Sequence, residues 1–464
     1  MMKALNPLMI SGREVLPLVE GGKGVSVSTG ASSGAWAAAG GVGTVSCVNA
    51  DSYDANGNLV PQLYFAKTRR ERHEELINYA VAGGVDQVRR AYETASGEGR
   101  IHINILWEMG GAERILRSVL EKTKGLVHGV TCGAGMPYKL AEIAALHQVH
   151  YHPIISSARA FRALWKRAYK KYAEWLGSVV YEDPWLAGGH NGLSNSEDPL
   201  VPQDPYPRVA ELRREMRESG VPEVPIIMAG GVWYLRDWEH WIDNPELGPV
   251  AFQYGTRPLL TKESEIPDAW KQRLMTLADG DVLLHDFSPT GFYASAVRND
   301  YLRELEGRSL RQIPFATKPV GELMDELDLG RAPLFVAGSD RVHALDWMRQ
   351  GYTEAMKTPD QTLIFVTREK RDEIRKDQTD CMGCLSQCKF SNWADNEDNS
   401  SGRKADPRSF CIQKTLMDIA HGGDVEQNLM FAGHGAYNFA KDPFYSNGFV
   451  PSVKQLVDRI VTGD

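Results

Sequence analysis

The chain has 464 residues and a formal charge of −8, from 52 basic and 60 acidic side chains mixed along its length. Without a basic block, sequence-independent nucleic-acid binding is excluded. No apolar run approaches the ~20 residues that span a bilayer, and the N-terminus lacks the apolar core and cleavage site of a signal peptide.

Cysteine usage points the same way: six cysteines at this length are too few for a disulfide scaffold. The composition therefore predicts a cytoplasmic protein with no nucleic-acid or membrane partner. From residue 16 to about 260, short apolar runs alternate with longer amphipathic ones, the pattern of parallel strands joined by crossover helices. Candidate strands cover 16–19, 42–48, 102–106, 126–131, 149–156, 178–182, 225–229 and 250–254. Helices are predicted over 69–81, 85–92, 112–122, 137–145, 158–175 and 207–218. Eight such units predict an α/β fold, a (β/α)8 TIM barrel, within residues 1–300. An open doubly wound sheet is the competing fold, but the Gly-x-Gly-x-x-Gly turn it carries after its first strand is missing.

Two loops are long for a barrel, 49–67 and 193–206, and each reads as a lid or as surface decoration. Beyond the eighth strand, 286–292 reads as a turn into a helix carrying Arg298 and Asn299. Residues 301–464 form a smaller α-rich region with strand-like runs at 334–337 and 362–366 and an amphipathic tail helix over 451–461.

The motif with most chemical content is Ala187-Gly188-Gly189-His190-Asn191-Gly192, after the sixth strand. Barrels carry their chemistry at the C-terminal ends of strands, and histidine exchanges protons near neutral pH. The glycines let backbone pass close to a flat ligand, although a glycine-rich turn with a solvent-facing histidine would look the same. Ala229-Gly230-Gly231 ends the seventh strand and Gln253-Tyr254-Gly255-Thr256-Arg257 ends the eighth. Loops at those two strands commonly build a phosphate site from backbone amides, and two tight turns are the plainer reading. Asn104 places an amide inside an apolar strand, where a ligand ring edge or a neighbouring strand must satisfy it. Gly21-Gly22-Lys23-Gly24 and Gly40-Gly41-Val42-Gly43 follow and enter the first two strands, as close-approach points or ordinary turns.

Taken together, these segments resemble the nitronate monooxygenase family, formerly 2-nitropropane dioxygenases, which includes flavin-dependent enoyl-acyl-carrier-protein reductases and acyl-carrier-protein dehydrogenase/isomerases. The likeness runs from about residue 14 to 300, and Ser288-Pro289-Thr290-Gly291 with Arg298-Asn299 resembles the family's post-barrel segment. It implies an FMN-binding barrel with His190 as catalytic base. Cofactor contacts are implied at Gly22, Asn104, Glu182, Gly188, Gly189, Gly230, Gly231, Gln253, Tyr254, Gly255 and Thr256. The chain departs from the family at Lys23, where methionine is usual, and at Glu182 or Asp183, where glutamine is usual. The implied substrate is a carbon acid of the nitronate type, or alternatively an acyl thioester. NAD(P)H or O2 is the implied co-substrate, and a homodimer is the implied assembly.

Cys381-x-x-Cys384-x-x-x-Cys388, with Cys411 further on, is the second motif. Thiols at such spacing wrap one metal centre. Flavin barrels with a similar cysteine start carry a [4Fe–4S] cluster there, so a cluster is expected; a four-cysteine zinc site and plain structural thiols are the other readings.

Overall fold

A computed structural model describes residues 2–133, 135–330 and 332–463. Its centre is a closed barrel of eight parallel strands. They are β1 (Leu18–Glu20), β2 (Val42–Ser46), β3 (Arg100–Leu106), β4 (Gly129–Gly133), β5 (His150–Ile155), β6 (Val179–Glu182), β7 (Ile226–Ala229) and β8 (Val250–Tyr254). The TIM barrel expected from the alternation is the fold observed, and each predicted strand overlaps an observed one. The strands are short and almost fully buried because helices cover their outer face and side chains fill the interior. Val19, Val42, Val180, Ile227 and Ala251 form one interior cluster. The larger cluster lies between the strands and the helix ring, joining Val45, Ile103 and Val130 to Ile77, Leu116 and Phe161.

Four predicted elements differ in the structure. The helices predicted over 69–81 and 85–92 are one helix, Arg69–Ala95. Gly83 and Gly84 do not break it but let it approach the barrel. A Cβ on Gly83 would lie 1.8 Å from the Ala50 carbonyl oxygen, and one on Gly84 2.9 Å from Val119. The stretch predicted as a helix over 158–175 ends as an α-helix at Arg167 and continues as a kinked 3-10 turn. Arg298 and Asn299 precede their helix: Ala294–Val297 is a strand, and the Asn299 side chain caps the helix Asp300–Leu310 by accepting from the Leu302 amide.

The barrel's N-terminal end is plugged by a hairpin, Leu8–Ile10 with Arg13–Val15, that the strand reading missed. Ser11 and Gly12, at φ of 50° and 75°, make its turn. The Ser11 hydroxyl lies 2.8 Å from His102 Nε2 and 2.9 Å from His152 Nε2, and the two rings stack with centroids 4.2 Å apart. Both imidazoles are fully buried. Beyond the barrel, the strands Gln312–Pro314, Glu354–Lys357 and Thr362–Val366 form a sheet with its own small core. The chain then returns: the helices Ile412–Ala420 and Val453–Val461 pack into the barrel's main core.

The histidine plug makes stability depend on pH. Burial pulls His152 down to about 3 and His102 well below its ordinary value, with His152 itself opposing a charge on His102. The unfolded chain therefore binds protons that the folded chain refuses, and stability present above about pH 6.5 is lost as the pH falls. Urea midpoints measured from pH 7.5 to 5 should decline. His152→Asn should flatten that slope by up to about 1.4 kcal/mol per pH unit.

Candidate active site

The C-terminal ends of β1, β6, β7 and β8 surround a cleft of about 110 Å³. Nine of the residues expected to contact a cofactor line it: Gly22, Glu182, Gly188, Gly230, Gly231, Gln253, Tyr254, Gly255 and Thr256. Glycine is required at several of them. Gly230 and Gly231 have φ of 91° and 77°, conformations that side-chain-bearing residues rarely adopt. A Cβ on Gly22 would lie 2.3 Å from Asn104 Cβ, while one on Gly255 would meet nothing within 4 Å. The turns after β7 and β8 therefore present bare backbone to the cleft, the construction that suits an anion gripped by amides.

Asn104, Gly189 and His190 stand outside the cleft lining. Asn104 is buried against Gly22, and its Oδ1 accepts from Thr131 Oγ1 at 3.2 Å. The amide nitrogen has no protein partner among the described residues. Gly189, at φ 72°, and His190 form a two-residue strand that pairs with Ala294–Val297 above the barrel mouth. His190 Nε2 lies 2.6 Å from Ser288 Oγ, which lies 2.8 Å from Thr290 Oγ1. The ring stands edge-on to Phe431 at 5.5 Å. Burial pulls the imidazole down to about 4, so it is neutral at physiological pH.

Glu182 carries the opposite shift. Burial, reinforced by the neighbouring Asp183, pushes its carboxyl up to about 8. It has no hydrogen-bond partner among the described residues, so at neutral pH it is mostly an uncharged acid facing the cleft. Asp183 points elsewhere, its Oδ1 accepting from the amides of Trp185 and Leu186. Of the two acids considered for the family's glutamine position, only Glu182 lines the cleft. Arg257 borders it too, but directs Nη1 to the Trp233 carbonyl at 2.8 Å and lies over the Trp233 ring.

The sequence reading missed one wall. Gly433 and Gly435, far along the chain, line the cleft. The Gly433 amide donates to Thr256 Oγ1 at 3.0 Å, and the His434 amide to the Leu186 carbonyl at 3.1 Å. Gly188 is what admits this segment: a Cβ there would lie 2.6 Å from the Ala432 carbonyl carbon and the Gly433 nitrogen. The signal was present in Gly433-His434-Gly435, a second glycine–histidine cluster beyond the expected barrel.

Cys381, Cys384, Cys388 and Cys411 line one small cavity with Met382, Phe390 and Ile412. All are free thiols. Burial pushes Cys411 up to about 12 and raises Cys384 and Cys388, the surrounding thiols adding to each. Among the described residues, however, no three His, Cys, Asp or Glu side chains are grouped to grip a single metal ion. That arrangement supports neither the expected [4Fe–4S] cluster nor the four-cysteine zinc reading.

The family model for nitronate monooxygenases matches residues 8–463. The chain belongs to the nitronate monooxygenase family. It is therefore an oxidoreductase enzyme, in a family of FMN-dependent flavoproteins. No curated protein matches the chain. Among solved structures, the FabK protein of Thermotoga maritima is similar at 16% identity, covering 96% of this chain and 92% of its own, with a TM-score of 0.52. Nitroalkane oxidase from Streptomyces ansochromogenes is 15% identical over 99% and 96%, with a TM-score of 0.50. The enoyl reductase domain of MlnA from Bacillus amyloliquefaciens is 12% identical over 96% and 93%, with a TM-score of 0.52. At these identities the likeness establishes the shared fold. No helix among the described residues is long and apolar enough to cross a membrane.

Proposed function

We propose that this family member binds FMN in the cleft and oxidises a carbon acid of the nitronate type, with His190 as base. The observation that carries the reading is the glycine-built cleft at the β7 and β8 ends, with His190 two residues beyond its lining residue Gly188. The residues fit the cofactor: Gly230 and Gly231 leave amides bare, Gly22 brings its backbone against Asn104 where no side chain fits, and Asn104 Nδ2 and Glu182 are unpaired polar groups at its edge. The turns at 230–231 and 255–256 would hold the phosphate, with the Thr256 hydroxyl beside them. Asn104, Glu182 and Gln253 would meet the polar edge of the ring. When bound, FMN supplies a two-electron acceptor.

The chain's own part is proton handling. With Nε2–H donating to Ser288 Oγ, His190 Nδ1 carries the lone pair, and it has no partner among the described residues. Nδ1 would accept the substrate's α-proton while the imidazolium stays tethered to Ser288. Phe431 stands edge-on to the ring, and burial keeps it neutral. The nitroalkane oxidase with the same fold makes a nitronate-type carbon acid the first substrate class to assay.

A second reading is an acyl-thioester enzyme, an enoyl reductase or a dehydrogenase/isomerase. The observation favouring it is the four-thiol cavity, for which nitronate oxidation has no evident use. A [4Fe–4S] cluster held by Cys381, Cys384, Cys388 and Cys411 would serve electron exchange.

His190→Asn should cut turnover of a neutral nitroalkane by about 10²–10⁴-fold. It should affect a preformed nitronate less and leave FMN content unchanged. In the wild type, the rate with a neutral substrate should hold at neutral pH and fall only as the pH approaches about 4, where the imidazole takes up a proton. A variant that loses FMN but retains normal chemistry in its remaining holoenzyme would make His190 a packing residue. For the cysteines, iron and acid-labile sulfide should be found in anaerobically purified protein and be lost in Cys384→Ser. Zinc without sulfide, or no metal, would remove the cluster.

A further inference from the structure

Lys23 has no task in that chemistry, yet its place in the fold is costly. Its side chain is 17% exposed and lines the same cleft as Glu182 and Gly230. Nζ donates to Glu20 Oε1 at 3.2 Å and to the Gly21 carbonyl at 2.6 Å. Glu20 ends β1 and is completely buried. Its Oε1 also accepts from Ser32 Oγ at 2.6 Å, while Oε2 is buried without a hydrogen-bond partner among the described residues. A buried ion pair with half its carboxylate unsatisfied is a poor source of stability, and apolar replacements are often neutral or better. A methionine, usual at this position in the family, would fill the volume without that cost.

The pair is also oriented. Its negative end is sealed inside the barrel wall, while Lys23 itself is one of the residues that line the cleft. The ammonium is fixed to backbone that borders the cleft: the Gly21 amide donates to the Tyr254 carbonyl at 2.9 Å, and the Gly21 carbonyl accepts from both Lys23 and Ser28. Of the other ionisable groups on the cleft, Glu182 is mostly uncharged at neutral pH, so the charge opposing the ammonium is that of the buried Glu20. Arg257 is committed to the Trp233 carbonyl on the far side. Burial lowers the lysine's own affinity for its proton, and Glu20 works against that loss.

We propose that Lys23, braced by Glu20, sets the reduction potential of the bound FMN by stabilising the negative charge that enters the cleft on reduction. This rests on the FMN reading above. The deprotonated substrate supplies two electrons, and one proton enters with them from solvent. The acceptor gains both, and the ring system passes from neutral to one net negative charge. A fixed cation in a water-poor cleft favours the charged, reduced side of that exchange. The same cation favours any anion that adds to the oxidised ring, so sulfite serves as an independent probe.

The test uses FMN-loaded holoprotein, with the potential measured against a reference dye and sulfite affinity by absorbance. Lys23→Met and Lys23→Gln should both lower the potential and weaken sulfite binding by about tenfold or more, the scale of one charge at moderate effective dielectric. Lys23→Arg, which keeps the charge, should stay near the wild type. If the neutral variants hold full FMN with unchanged potential and sulfite affinity, Lys23 is a strut and the proposal is overturned, whatever happens to thermal stability. Wild-type protein that takes up no FMN would bring down the functional reading itself, an outcome distinct from a flavoprotein indifferent to Lys23.

Discussion

The site depends on one close approach, the crossing of residues 432–433 over Gly188. With backbone atoms 2.6 Å from where a Cβ would stand, only glycine admits this crossing. It brings the Gly433 amide to Thr256, seats Phe431 on the edge of His190, and closes the cleft on the side the barrel leaves open. Much follows from this geometry. Burial keeps His190 neutral, and burial together with Asp183 raises the Glu182 carboxyl. The barrel supplies strand ends, and the returning C-terminal segment makes them a site.

The segment that carries the cysteines is tied to the same region. Lys389, next to Cys388, donates its backbone amide to the Pro289 carbonyl, and its ammonium reaches the Asp286 carbonyl. Ser409, two residues before Cys411, donates to the Phe287 carbonyl at 2.6 Å. These contacts hold the turn whose Ser288 meets His190. The region beyond the barrel thus contributes in two ways, through the 286–290 turn and through the strip at 431–435.

Much of this was legible in the sequence. Strand periodicity located every barrel strand, because buried parallel strands read as continuous apolar runs. Glycines at the ends of the seventh and eighth strands marked the cleft, and at Gly230 and Gly231 the positive φ is what calls for glycine. What escaped was non-local or ambiguous. Gly83 and Gly84 signal a helix break as readily as a close approach, and only the position of Ala50 decides between them. Gly433 meets Thr256 across 177 residues, a pairing no local pattern encodes. The hairpin plug was within reach, since Ser11-Gly12 is turn chemistry, but its strands are three residues each.

The central claim is that the bare-backbone turns at Gly230-Gly231 and Gly255-Thr256 grip a flavin's phosphate. Binding of FMN and of riboflavin to the same flavin-free protein, followed by fluorescence quenching, tests it most directly. The two ligands differ only in the phosphate, and a few charge-assisted hydrogen bonds at about 1.5–3 kcal/mol each should make FMN at least about 100-fold tighter. Equal affinity for the two, or no binding of either, would contradict the account.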